Sequence, residues 1–188
     1  ECIADATEHW RRNKGRCNGS MYWQLNDCWG VCSWSSIDYY GNYKALQYGA
    51  RHFNAPVSVS IENTEEYIKL FVLNDLKEKQ DVTVTYDIFD FVSGTKQSDK
   101  KDVSIDAVKN ELVFELDVKS LAKAYDLKRT GVAVKLFKNG ELLQQKTVLF
   151  DKEKKLNLPK AKLKTRIEIK EDRLDITVKS DAYARLVK

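Results

Sequence analysis

From Ala55 onward, apolar and polar residues alternate at the period of a β-strand. APVSVSIEN sets Val57, Val59 and Ile61 on one face, and EYIKLFVLND does the same with Ile68, Leu70 and Val72. DVTVTYDIFDF, SGTKQSDKKDVSI, NELVFELDV, GVAVKLF and ELLQQKTVLF continue the pattern, for seven short strands in all. The last two are joined through Lys138-Asn139-Gly140. Asn-Gly is the strongest short hairpin signal, because a type I′ turn needs positive φ at both central residues. SLAKAYDLKR interrupts the series as a short helical turn. Short strands at regular turn spacing predict an antiparallel β-sandwich of immunoglobulin type. It carries no cysteine pair, which sets it apart from antibody-like domains.

The period changes on either side of this block. Upstream, ADATEHWRRN (Ala4 to Asn13) reads as helix, with Gly15 as its stop. NGSMYWQLND is a short apolar run that enters a polar, aromatic loop. After Gly41-Asn42, YKALQYGARHF places Tyr43, Leu46, Gln47 and Ala50 on one helical face. Strand, loop and packed helix make one βα unit, which leaves its strand unpaired without a larger sheet. Downstream, DKEKKLNLPKAKLK reads as a linker. TRIEIKEDRLDITVKSDAYARLVK reads as the start of another β domain, with Ile167 and Ile169 on one strand and Leu174, Ile176 and Val178 on the next. The chain opens inside a helix and closes in AYARLVK, read as strand, so the expectation is a piece of a longer polypeptide. The organisation expected is 1–54, a βα unit; 55–150, the sandwich; and 151–188, a linker with the first strands of a second sandwich.

Composition narrows the function classes. Of 188 residues, 32% are charged and 43% hydrophobic, which fits a globular chain. The net charge of +4 is spread with Lys beside Asp and Glu, a solvated surface with no nucleic-acid footprint. The Lys-rich linker has no interleaved aromatic rings on which bases could stack. No apolar run has the length to cross a bilayer. Cys2, Cys17, Cys28, Cys32 and His9 could be assembled into a zinc site, but no C-x-x-C knuckle is present, so no metal is expected. The thiols are expected to be free and buried. His9 and His52 read as helix-surface or packing residues. A Lys-rich chain without a disulfide pattern favours a cytoplasmic setting.

Three of the four tryptophans lie between Met21 and Phe53, together with several tyrosines. Large rings commonly bury apolar area, and in carbohydrate sites they also stack on sugar faces. YWQLNDCW combines both chemistries, with Trp23 and Trp29 as faces and Gln24, Asn26 and Asp27 as polar groups. GSMYWQLNDCW followed by VCSWSSIDYYGNYKALQYGARHFNAPV closely resembles the β-mannosidases, among the retaining glycosidases that include β-galactosidase and β-glucuronidase. The resemblance is strong from Gly19 to Pro56 and looser beyond, where SDAYARLVK is similar to a strand of the family's terminal domain.

The resemblance implies that residues 1–54 hold the eighth strand and last helix of a catalytic (β/α)8 barrel, ahead of sandwich domains. It implies hydrolysis of terminal non-reducing β-D-mannose with retention, and a β-mannoside oligosaccharide or glycoside as partner along with the rest of the barrel. Such enzymes use two carboxylates about 5–5.5 Å apart and water, with no cofactor. In the family both are glutamates of upstream strands, so no catalytic residue is assigned here; Glu8 and Asp27 lack a matched partner carboxylate. Trp23 matches the tryptophan that floors the cleaved sugar's subsite. Asn26 and Asp27 match a polar pair that supports the loop or meets sugar hydroxyls. Trp29 and Trp34 are expected to pack the loop on the barrel mouth, and Tyr39 and Tyr40 to pack more than to meet substrate. Gly30 stands where the family has proline, which loosens the loop. The rival reading is a stand-alone sandwich that binds carbohydrate or protein, using Tyr67, Tyr86, Phe89, Phe91 and Phe137.

Overall fold

The structure, a computed structural model, describes residues 2–185. Helices α1 (Cys2–Arg12) and α2 (Ala45–Phe53) precede seven strands, β1 (Val57–Asn63), β2 (Tyr67–Asn74), β3 (Gln80–Asp90), β4 (Gly94–Ile105), β5 (Asn110–Asp117), β6 (Thr130–Lys138) and β7 (Glu141–Leu149), with helix α3 (Val118–Ala124) between β5 and β6. A hairpin of β8 (Leu163–Ile169) and β9 (Leu174–Ser180) follows. One sheet has the order β1-β2-β5 and the other β4-β3-β6-β7, the two-sheet arrangement of an immunoglobulin-like sandwich. Every strand expected from the alternation is present. Asn139 and Gly140 take φ of 52° and 83°, the left-handed pair that an Asn-Gly hairpin turn requires. β4 is an edge strand, and Lys96, Asp99, Lys100, Lys101 and Asp102 along it discourage pairing with another chain.

The contacts divide the chain into two compact units. The first comprises Glu1–Thr85, Lys100–Val118 and Val134–Lys146. Its core is Val59, Ile68, Leu70, Val72, Val84, Ile105, Val134 and Leu136, all buried and supplied by the alternating faces of five strands. β1 is covered on its other face too, since Ser58 and Ser60 are buried. The cover is α1, which lays Glu8, Arg11 and Arg12 across the sheet. Arg11 donates to Phe53 O at 2.6 Å, Ala55 O at 2.8 Å, Ser58 Oγ at 3.1 Å and Asp75 Oδ2 at 2.8 Å. Arg12 donates to Ser60 Oγ at 2.6 Å and Ile61 O at 3.1 Å. Asn110 Nδ2 caps the helix end, donating to Arg12 O at 2.5 Å and Arg11 O at 3.2 Å. Lys146 pairs with Glu8, and burial lowers the lysine's pKa against the pull of that carboxylate. Gln144 Oε1 accepts from the Val59 N–H at 2.8 Å, satisfying the open edge of β1.

The second unit comprises Tyr86–Asp99, Lys119–Ala133 and Thr147–Lys188. Phe91 stacks on Tyr183 with ring centroids 5.2 Å apart, and the Tyr183 N–H donates to Phe91 O at 2.9 Å. A Cβ on Gly131 would lie 2.8 Å from Phe89 Cζ, so that ring would have to shift to accept it. The β8–β9 hairpin pairs Ile167 with Ile176 and Ile169 with Leu174, and leaves these side chains exposed.

Two expectations are corrected. NGSMYWQLND forms no strand: residues 17–25 join no ladder, because among the described residues no neighbouring strand offers them backbone partners. The closing AYARLVK is also outside any strand through Arg185, and its last three residues lie outside those described.

Arg11 joins α1 to the end of α2, the start of β1 and the end of β2. Replacing it with methionine removes the donor to two carbonyls while Asp75 keeps Lys14, so Arg11→Met is expected to cost about 1–3 kcal/mol. Urea unfolding followed by tryptophan fluorescence checks this through an earlier midpoint.

Candidate functional site

The aromatic segment is organised by polar groups. After α1, a turn closes with Cys17 N donating to Asn13 O at 2.9 Å, and Gly15 takes φ +97° within it. Residues 24–27 then run beside residues 36 and 37. Asn26 and Ile37 form a parallel bridge, and Ile37 and Tyr43 an antiparallel one. Ser36 N donates to Leu25 O at 3.1 Å, Ile37 N to Leu25 O at 2.8 Å and Asp27 N to Ile37 O at 3.1 Å. The Ser36 hydroxyl adds a bond to Leu25 O at 2.8 Å.

Asp27 is the centre of this arrangement. Its residue surface is only 4% exposed, and its carboxylate receives Lys44 Nζ at 2.8 Å and the Ser33 hydroxyl. Lys44 Nζ also donates to Ser35 Oγ at 2.7 Å and Ser33 Oγ at 3.3 Å. An ammonium has three protons, and these three acceptors use them all. The bond from Lys44, then that from Ser33, lowers the Asp27 pKa from 3.8 to about 2. A second turn is built on Asp38, whose Oδ1 accepts from the N–H groups of Tyr40 at 2.9 Å and Asn42 at 2.8 Å, while Oδ2 accepts from Asn42 Nδ2 at 2.9 Å. The Asn42 side chain first, then its backbone, lowers the Asp38 pKa.

Trp23 stands out from this scaffold at 75% exposure, and the Trp23–Gln24 peptide bond is cis. Asn26 turns its amide to Asp27 O at 3.1 Å, in a loop-holding position. Trp29, Trp34, Tyr39 and Tyr40 are all exposed, so the packing expected for them is not made among the described residues. Tyr39 and Tyr40 meet edge to face at 5.3 Å, and a Cβ on Gly30 would sit 3.5 Å from the Tyr40 hydroxyl. Glu8 faces Lys146 and Ser60, well away in role from the aromatic loop. The expectation of buried thiols fails. Cys2, Cys28 and Cys32 are exposed and free, because among the described residues nothing packs over the loop that holds the last two. No group of three potential ligands for a metal occurs among the described residues. The residues that sequence reasoning passed over are Lys44, Ser33, Ser35 and Ser36. The available signal was a run of serines and one lysine beside a buried-type Asp in an otherwise aromatic stretch.

Protonating Asp27 would release Lys44 and Ser33. Its pKa is lower in the folded chain, so its stabilisation is complete above about pH 4 and is lost as pH falls through 2. The near-UV circular dichroism of the tryptophans is expected to change in that acid window. The same titration of Asp27→Asn is expected to lack this step.

Several known proteins are similar to this chain. Residues 66–155 match the family described as Mannosidase Ig/CBM-like domain. A β-mannosidase of Bos taurus is 47% identical over 64 residues, which is 30% of this chain and 7% of that protein. A β-mannosidase of Capra hircus is 35% identical over 92 residues, 45% of this chain and 10% of that protein. A crystal structure of the β-D-mannosidase from Dictyoglomus thermophilum matches 96% of this chain at 31% identity and a TM-score of 0.82, using 22% of its own length. An exo-chitosanase of Amycolatopsis orientalis shares the fold at 16% identity, with a TM-score of 0.68 over 97% of this chain and 25% of its own. This chain therefore spans a tenth or less of the length of those two curated relatives. By the matched domain, these relatives and the Dictyoglomus structure, the chain is similar to a stretch of the β-mannosidases.

Proposed function

We propose that this chain supplies part of the sugar-facing wall, and the sandwich that buttresses it, in a retaining exo-β-mannosidase. Residues 1–54 are the end of the catalytic barrel, 55–150 the buttressing sandwich, and 151–188 a linker with the first strands of a further sandwich. Trp23 floors the subsite of the terminal β-D-mannose. Asn26 and Asp27 hold the loop on which it stands.

The observation that carries this reading is the presentation of Trp23. Its ring is exposed while the backbone just after it is fixed by bonds from Ser36 to Gln24 O and Leu25 O, each at 3.1 Å. A ring held in this way offers an apolar face at little further ordering cost. In the glycosidase reaction one carboxylate attacks the anomeric carbon, and the other protonates the leaving oxygen and then activates water. Glu8 and Asp27 are each engaged with a lysine, so both carboxylates belong to other parts of the polypeptide. The chain alone is then inactive. A stacking residue contributes by holding the ring where the oxocarbenium-like transition state forms.

A free-standing sugar-binding sandwich has less support. Tyr86 and Phe91 are buried, and Tyr67, Phe89 and Phe137 are half-buried, leaving no exposed ring on β1–β7 among the described residues.

The test uses the longer polypeptide that carries this chain, assayed with p-nitrophenyl β-D-mannoside. Hydrolysis is expected, with Trp23→Ala lowering kcat/KM about tenfold to a hundredfold, on the order of 1.4–2.7 kcal/mol. An unchanged kcat/KM in Trp23→Ala would remove the platform, and no hydrolysis of any β-mannoside would remove the enzyme reading.

A further inference from the structure

The structure assigns Lys44 as the positioning residue for Trp23, acting through Ser35, Ser36 and Asp27. The role rests on the reading of Trp23 as a sugar platform for its functional meaning, but the geometry stands without it.

Lys44 is the residue at the mouth of α2 and is anchored by that helix. The helix itself is fixed: Ala50 and Phe53 are buried, and Arg11 holds the Phe53 carbonyl at 2.6 Å. From this anchor Lys44 reaches the loop twice. Its backbone N–H donates to Ser36 O at 2.9 Å, and its ammonium donates to Ser35, Ser33 and Asp27. Ser36 then holds the chain on both sides of Trp23. Its N–H donates to Gln24 O and Leu25 O, its hydroxyl donates to Leu25 O at 2.8 Å, and the Tyr22 hydroxyl lies 3.2 Å from Ser36 Oγ. Tyr22 in turn meets Phe53 of α2 edge to face, with centroids 6.5 Å apart. The residues before and after Trp23 are thus referred to one helix, while the indole is left free.

The ammonium of Lys44 supplies one proton to each of the three acceptors. Asp27 is buried, so removing the ammonium leaves an uncompensated carboxylate that draws water into the loop.

The test is fluorine NMR of the full chain labelled with 5-fluorotryptophan, with Trp10 on α1 as the internal reference. Lys44→Met and Ser36→Ala are compared with the unaltered chain. In either variant the Trp23 resonance is expected to shift and broaden while Trp10 stays in place. A Trp23 resonance at its original position in both variants, or joint collapse of Trp10 and Trp23 in both, would overturn the role. A functional arm uses the longer polypeptide. There Lys44→Met is expected to lower kcat/KM on p-nitrophenyl β-D-mannoside by a factor similar to that of Trp23→Ala. The double variant should lose no more than the larger single loss. Independent, multiplicative losses would overturn the coupling. Failure of the enzyme reading would show as no hydrolysis by the unaltered polypeptide, with the fluorine resonances still deciding the role of Lys44.

Discussion

One guanidinium holds the first fifty-odd residues in place. Arg11 joins four points that are far apart in sequence: the end of α2, the segment leading into β1, Ser58 within β1, and Asp75 beyond β2. The upstream segment brings no sheet of its own and little apolar area, with Ala50 and Phe53 as its buried hydrophobic residues. Burial alone would give a loosely docked segment, because hydrophobic attraction has no direction. Directional bonds to carbonyls that the helices and strands already orient remove that freedom. Arg12, Glu8 with Lys146, and Asn110 repeat the device along α1.

The aromatic loop depends on this joint at one remove. Arg11 grips the C-terminal end of α2, and Lys44 sits at its N-terminal end. The helix therefore acts as a rigid spacer between two polar clamps, one on the sandwich and one on the loop. Each clamp uses a cation whose donors match its acceptors. The forked guanidinium takes two carbonyls, a hydroxyl and a carboxylate, and the ammonium takes two hydroxyls and a carboxylate. This explains how exposed rings, which add nothing to a core, can still hold fixed places.

How much of this was legible in the sequence follows from the range of the forces involved. The strands were readable because each has one buried face, so Ile68, Leu70 and Val72 mark their own register. The Asn139-Gly140 turn was readable because its backbone demand is local. The clamps were not. Arg11 and Asp75 are 64 positions apart, and Lys44 and Asp27 are 17 apart, with no periodicity linking either pair. The stretch expected as a barrel strand is in no ladder here for a related reason. A strand is a property of its neighbours, and residues 17–25 have no ladder to join among the described residues. Asn26 and Asp27 are adjacent in sequence, but only Asp27 is buried, and that difference is not displayed by the sequence.

A buried ion pair is a poor source of stability, since desolvation offsets most of its attraction. Its retention between Asp27 and Lys44 is better understood through what an apolar pair would do in the same place. Leucine against methionine would fill the space and hold the loop near α2, but would let it slide, because dispersion changes little over small displacements along a smooth contact. The carboxylate and ammonium tolerate no such movement: each loses a directional, charge-assisted bond and leaves a buried charge unmatched. Lys146 and Glu8 show the same logic where no ring is displayed, fixing the angle of α1 on the sheet. In this chain, buried charge sets position and the hydrophobic core supplies stability. The two tasks are kept in separate places, which leaves Trp23 free to face solvent without loosening the structure that holds it.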